Sequence, residues 1–298
     1  MRTTAEPAVP ARRASRDRRA SRDRPDASAR PTSRDRLRQA GVTLSYLLCL
    51  IGSAIGVGAF GGTPIAEAAG GALSADATHL APATGAFSVW SVIYAGLAAY
   101  TLWQWLPGQA AGPRQRRIGW WVAASMLLNA AWILVVQAGW LWPSVLVIGV
   151  LLAVLARIFV GLVRTRRGGL VESVVVDGTL GLYLGWVSVA TCANIAATLA
   201  AAGFAGLGLS PEVWAAVVLA AVAAVGVGLA VFGSGRLAPA ATIVWGLSWI
   251  AVGRTTGEPL SPPTAVAAVV ATVVVAVATV GLRLTRGRRT DASGRRDA

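Results

Sequence analysis

Three stretches of this chain carry aromatic rings beside amide or hydroxyl groups at helical spacing, a pattern that suits binding better than bond-making. Read three or four residues apart, Trp90, Tyr94 and Thr101 share a face with Leu97, and Trp121, Ser125, Asn129 and Trp132 share another. Tyr183, Ala190 and Asn194 form a third stripe, with Trp186 on its flank. Three such faces turned together would line a cavity for a large, flat, mostly apolar ligand with a few polar edges. The competing reading makes Asn129 and Asn194 helix-packing groups, because an amide in hydrocarbon must find a partner. Interhelical hydrogen bonds of this kind contribute only about 0.6–2 kcal/mol. Both readings turn the two amides inward.

Other chemistries have less to work with. His79 is the only histidine, which excludes a histidine-based metal centre. A serine–histidine pair would have to be assembled around a loop residue. Cys49 and Cys192 lie within apolar stretches and read as small packing residues. No acidic residue sits deep in an apolar stretch, since Glu172 and Asp177 mark the entrance to the fifth. Proton- or ion-coupled transport usually needs an intramembrane carboxylate or broken helices, so it is disfavoured. Gly52 and Gly56 give the small-xxx-small spacing of close helix packing.

The elements that must position these groups are membrane spans. A transmembrane helix needs about 20 apolar residues, and eight stretches approach or reach that length: 41–60, 86–106, 118–138, 143–163, 179–201, 212–232, 237–253 and 263–283. The fold class is therefore all-α, a polytopic bundle of eight spans. The charges point the same way. The chain has 27 arginines and no lysine. With the N-terminus cytoplasmic, all but Arg157 and Arg254 fall in segments 1–40, 107–117, 164–178, 233–236 and 284–298, or at Arg283 beside the last. Arginine held on one side is the positive-inside rule, and it places both termini in the cytoplasm. The net charge of +14 thus reflects topology and attraction to anionic headgroups of the lipid bilayer, not nucleic-acid binding. Abundant Ala, Gly, Val and Arg without lysine suits a GC-rich bacterial genome, and the bacterial cytoplasmic membrane is the expected location.

The chain divides into four segments. Residues 1–40 are an Arg-rich cytoplasmic tail in which Ser-Arg-Asp-Arg recurs at 15–18, 21–24 and 33–36, too polar to offset its ordering entropy and expected to be disordered. Residues 41–201 hold five spans, 202–283 three more, and 284–298 a basic cytoplasmic tail. Of the twelve tryptophans, eleven fall into two groups and Trp121 is intermediate. Trp103, Trp105, Trp120, Trp140, Trp142 and Trp214 lie near span ends, where aromatic belts account for them. Trp90, Trp132, Trp186, Trp245 and Trp249 travel with polar residues at helical spacing. On the seventh span Thr242, Trp245, Ser248 and Trp249 share a side, read as docking to the core. The eighth, nearly pure Ala and Val, reads as lipid-facing.

At Phe87-Ser-Val-Trp-Ser-Val-Ile-Tyr94 the chain resembles the translocator protein family, whose bacterial members are called tryptophan-rich sensory proteins (TspO/MBR-like) and whose animal members are peripheral-type benzodiazepine receptors. Leu127-Leu-Asn-Ala-Ala-Trp132 is similar to the family's third-helix signature. Tyr183-Leu-Gly-Trp-Val-Ser-Val-Ala-Thr-Cys-Ala-Asn194 is similar to its fifth. Three motifs in order map residues 41–201 onto the family's five-helix unit, with three further helices beyond. The resemblance implies a bundle that is often a homodimer, with a pocket beneath the first loop that binds tetrapyrroles such as protoporphyrin IX. It implies ligand contacts from Trp90, Tyr94, Asn129, Trp132, Tyr183, Trp186 and Asn194, and in some bacterial members light- and oxygen-dependent porphyrin breakdown involving the positions of Trp90 and Trp186. The first loop, 62–85, departs from the pattern: its tryptophan-tyrosine and lysine-proline-tryptophan elements are missing, and only Pro82 precedes Phe87. The expected function is a tetrapyrrole-binding membrane sensor or regulator rather than an enzyme, taking a small hydrophobic ligand and requiring no cofactor. A small-molecule permease and a light-dependent porphyrin-oxidising enzyme are the alternatives.

Overall fold

The computed structural model describes residues 30–59, 63–165 and 168–294, with side chains described through 285. Among them are eight helices long and apolar enough to cross a membrane. Their α-helical parts are α1 (Ser33–Gly56), α2 (Val89–Trp103), α3 (Pro113–Gln137), α4 (Leu141–Val163), α5 (Thr179–Ala201), α6 (Pro211–Phe232), α7 (Leu237–Thr256) and α8 (Pro262–Gly294), the second span beginning at Thr84 and the fifth at Leu170. A 3-10 turn, Thr84–Ser88, leads into α2, and a π-helical turn, Ser173–Gly178, leads into α5.

Several helix starts are written in local chemistry. Pro113 and Pro211 occupy first-turn positions, where the missing N–H costs nothing. Ser210 caps α6 by accepting from the Val213 amide. Thr32 caps α1 in a reciprocal box with Asp35. That box corrects the expected start of order. The third Ser-Arg-Asp-Arg repeat is helical, and Asp35, Arg38 and Gln39 are buried. The reason is tertiary. Asp35 bonds Arg38 at 3.1 Å and the Arg116 guanidinium at 2.7 and 2.9 Å, and Arg38 reaches the Ala110 carbonyl at 2.6 Å. Charges that read as a solvated tail are answered by α3 and the turn before it. The first two repeats, and the expected disorder of residues 1–29, lie outside the described residues. At the other end α8 runs to Gly294, so the segment expected as a tail from 284 continues the helix. α7 reaches Thr256, three residues beyond the expected end of the seventh span.

α3 packs on α1 and α4, α4 on α5, and α2 lies across α1 and α5. α7 then packs on α5, while α6, α7 and α8 pack on one another. Two apolar cores result, one inside α1–α5 and one inside α6–α8. The second core also takes in Val189 of α5 and Leu80 from the first loop. Gly52 and Gly56 abut Ala130 and Ile133, the close α1–α3 contact their spacing predicts. The α5–α7 seam is tighter: any side chain at Gly185 would collide with the Pro239 carbonyl and the Thr242 hydroxyl. Thr242 donates to the Leu182 carbonyl at 2.7 Å. As expected, α8 turns Ala265, Ala268, Ala271 and Val275 inward and Val266, Val270, Val273 and Val277 outward. Trp105, Trp120, Trp140 and Trp142 are exposed, as belt residues are, but Trp103 is buried in the first core.

The arginine-rich end is closed by a buried ion cluster. Arg114 of α3 bonds Glu172 at 2.7 Å and both oxygens of Asp177 at 2.7 and 2.8 Å, and Arg236, at the start of α7, also pairs with Asp177. The π-helical turn carries Asp177, so its extra residue per turn aims the carboxylate between two helices.

Candidate functional site

The site is built where α2, α3 and α5 meet beneath the first loop. Trp90 is its hinge. Its ring stacks on Tyr94 one turn later, centroids 5.3 Å apart at 21°, and meets Tyr183 and Trp186 of α5 edge-to-face at 5.8 and 6.2 Å. Phe87, on the 3-10 turn, meets Trp186 edge-to-face at 5.9 Å. Centroid separations of 4.5–7 Å with offset or T-shaped geometry are the favourable arrangements for ring quadrupoles.

The polar groups divide into two relays. Asn129 donates to the Tyr94 hydroxyl at 2.8 Å and to the Cys49 sulfur at 3.5 Å. Tyr46 donates to the Tyr94 carbonyl at 3.3 Å, and Tyr183 donates to the Ser125 carbonyl at 3.2 Å. In the second relay Trp132 donates its indole N–H to Asn194 at 2.8 Å, and Asn194 donates to the Ser144 hydroxyl at 2.9 Å. Each amide thus joins helices, which accounts for both being 1% exposed. Trp121 departs from its expected face. It is 41% exposed, with the Arg157 guanidinium 5.8 Å from its ring centroid.

A cavity of about 50 Å³ lies between the first loop and α5. Ile65, Leu73, Ser74, Thr78, Ala81 and Pro82 form its roof, with Phe87, Trp132, Trp186, Ala190 and Asn194 among the residues below. None of the lining residues carries a charge. Two of the lining residues carry a buried polar atom with no partner among the described residues, the indole N–H of Trp186 and the hydroxyl of Thr78. Of the seven residues singled out from the sequence, Trp132, Trp186 and Asn194 line the cavity. Trp90, Tyr94, Asn129 and Tyr183 do not line it: Trp90 packs on Trp186, Tyr94 and Tyr183 pack on Trp90, and Asn129 bonds Tyr94. Thr78, Ser144, Tyr46 and Cys49 were not singled out. A hydroxyl in an apolar run was the available signal for Ser144 and Tyr46, whereas nothing local distinguishes Thr78 from its loop neighbours. A larger open groove of about 560 Å³ lies apart from this cluster, between residues 139–143 and 198–202, where exposed Trp140 and Trp142 suit the headgroup region.

The family model for TSPO-like proteins matches residues 43–281. The chain belongs to the TSPO-like protein family. The match runs past residue 201, where the motif resemblance stops, and takes in almost all of α6–α8 before the basic end. Family membership and eight spans together make this a multi-pass integral membrane protein. Neither a curated protein nor a solved structure matches the chain. Within this TSPO-like bundle, the three motifs fall on α2, α3 and α5 around one cavity.

Proposed function

We propose that this TSPO-like protein binds tetrapyrroles of the porphyrin type in a bacterial cytoplasmic membrane and acts there as a sensor or regulator. The observation that carries the proposal is the indole N–H of Trp186, buried without a partner among the described residues, on a residue that lines the cavity beside the Phe87 and Trp132 rings. A buried polar group left unbonded costs about 1–3 kcal/mol. A ligand that presents an acceptor to Trp186, and a polar edge to the Thr78 hydroxyl, removes that cost while an apolar face covers the ring. The neutral lining leaves any carboxylate groups of the ligand pointing toward the mouth, where they stay hydrated.

Size sets a condition. Pockets for drug-sized ligands occupy about 300–1,000 Å³, and a cavity of about 50 Å³ admits no macrocycle. The ring chemistry fits a porphyrin; the closed volume does not, and binding requires the roof formed by residues 72–82 to lift.

Titrating detergent-purified protein with protoporphyrin IX in the dark, following tryptophan quenching, tests this directly. Saturable binding weakened in a Trp90→Phe/Trp186→Phe double variant supports the proposal. Equal, unsaturable quenching in both proteins means that porphyrin only partitions into the micelle, and the binding reading fails.

A further inference from the structure

The roof of the cavity is fastened mainly from outside the five-helix unit. Arg254, in the last turn of α7, is 1% exposed. Its guanidinium donates to the carbonyls of Ala75 at 2.8 Å and Ala81 at 3.4 Å, on either side of Thr78, and to that of Pro259 at 3.1 Å. Two further bonds tie the next stretch to the same helix. The Ala83 amide donates to the Trp249 carbonyl at 3.1 Å, and the Trp245 indole donates to the Ala86 carbonyl at 2.9 Å. The Trp249 ring covers Gly85 so closely that any side chain there would collide with it. Leu80 is buried in the core of α6–α8. The five-helix unit, by contrast, holds the loop near its start, where Gln137 bonds the Thr63 carbonyl at 2.7 Å and the Ile65 amide bonds the Gly56 carbonyl.

We infer that α7 is a strap that holds residues 75–83 closed over the cavity, with Arg254 as the positioning residue, so that the three C-terminal helices control ligand entry. The role in ligand entry rests on the binding reading above. The physical basis is a balance. Closed, the guanidinium is desolvated, its two terminal nitrogens answered by backbone carbonyls and its Nε without a partner among the described residues; lifted, those bonds are lost but the cation regains water. The closed arrangement is the favoured one, and a ligand that binds only beneath a lifted roof shifts the balance toward opening.

Hydrogen–deuterium exchange of the full-length protein tests the strap without any ligand. In Arg254→Ala, exchange over 72–82 rises about tenfold or more, the loss expected for hydrogen bonds to a charged donor. Arg254→Lys restores part of the protection, and Trp245→Phe, which removes one bond and keeps the ring, gives a smaller rise over 83–88. Exchange over 122–133 in α3 stays at the wild-type level. Wild-type exchange over 72–82 in Arg254→Ala overturns the inference, and so does a rise of equal size in α3 in all three variants. Where the wild type binds protoporphyrin IX, its association rate rises in Arg254→Ala in step with roof exchange, and an unchanged rate overturns the control of entry. A wild type that binds no porphyrin sinks the binding reading alone, and the exchange data still decide the strap.

Discussion

Asn129 and Asn194 answer the cost of an amide in hydrocarbon by different routes. Asn129 bridges α2 and α1 through Tyr94 and Cys49, while Asn194 sits between a donor on α3 and a hydroxyl on α4. Replacing Asn129 with Leu leaves the Tyr94 hydroxyl without this donor, and a loss of about 1–2 kcal/mol is expected in thermal or chemical unfolding in detergent. Trp132→Phe, which removes one donor from Asn194, should cost about 1 kcal/mol on the same assay. Trp186→Phe differs in kind: its indole N–H has no partner among the described residues, so no hydrogen bond seen there is lost. Its expected signature is therefore a porphyrin affinity lowered about tenfold with a smaller stability change than Asn129→Leu. The inward direction of these residues was legible in the sequence, because helical spacing sets the face and hydrocarbon forbids an unanswered amide. Which of them would touch the cavity was not. Trp90 and Trp186 have the same motif status, yet only Trp186 reaches the opening, and Thr78 acquires its place from a loop that no periodicity describes.

The spans were readable, but the start of α1 and the contacts that decide the loops and turns were not. The π-helical turn places Asp177 against Arg114 and Arg236, joining α3 to the start of α7. Removing that charge takes the shared carboxylate from two buried guanidinium groups, leaving Arg114 with Glu172 and Thr165 and Arg236 with the Leu162 carbonyl among its contacts. Asp177→Asn should lower stability by about 3–5 kcal/mol in the same unfolding assay, where an exposed ion pair would give less than about 1. A pH response of the roof is expected from His79. Burial holds the His79 pKa below the ordinary histidine range, opposed by Glu212 and aided by Arg254, and its ring faces the Thr264 hydroxyl at 3.5 Å. A lowered folded-state pKa means that the unfolded form takes up the proton first. The packed state's contribution is therefore present above about pH 6.5 and lost as pH falls below it. The wild type should lose thermal stability between pH 7.5 and 5.5 by more than a His79→Gln variant does. Equal losses would show that His79 does not report on the roof.

Over the whole molecule, the two apolar cores are welded along α5 and α7, and the weld is narrow. Gly185→Leu places a side chain into the Pro239 carbonyl, and overpacking of this kind costs about 1–3 kcal/mol or more. Unfolding midpoints would check it, with Gly149→Ala, where a methyl meets nothing within 4 Å, as the control. Sidedness is testable on the same scale. In a Cys49→Ala/Cys192→Ala background, Glu258→Cys should label with an impermeant maleimide from outside intact cells and Arg117→Cys only after lysis, because positive charge is retained inside. The amino-acid sequence by itself determined the number of spans, the gathering of the arginines in the segments at one end of them and the helix faces that turn inward. Those follow from the length of hydrocarbon to be crossed, the cost of moving a charge through it, and the 3.6-residue period. Only the tertiary structure decided that residues 33–40 are helical, that the cavity is small when closed, and that its roof hangs from α7. Those depend on partners 65 or more residues away, such as Arg116 for Asp35 and Arg254 for Ala75, and such pairings leave no periodic trace in the chain.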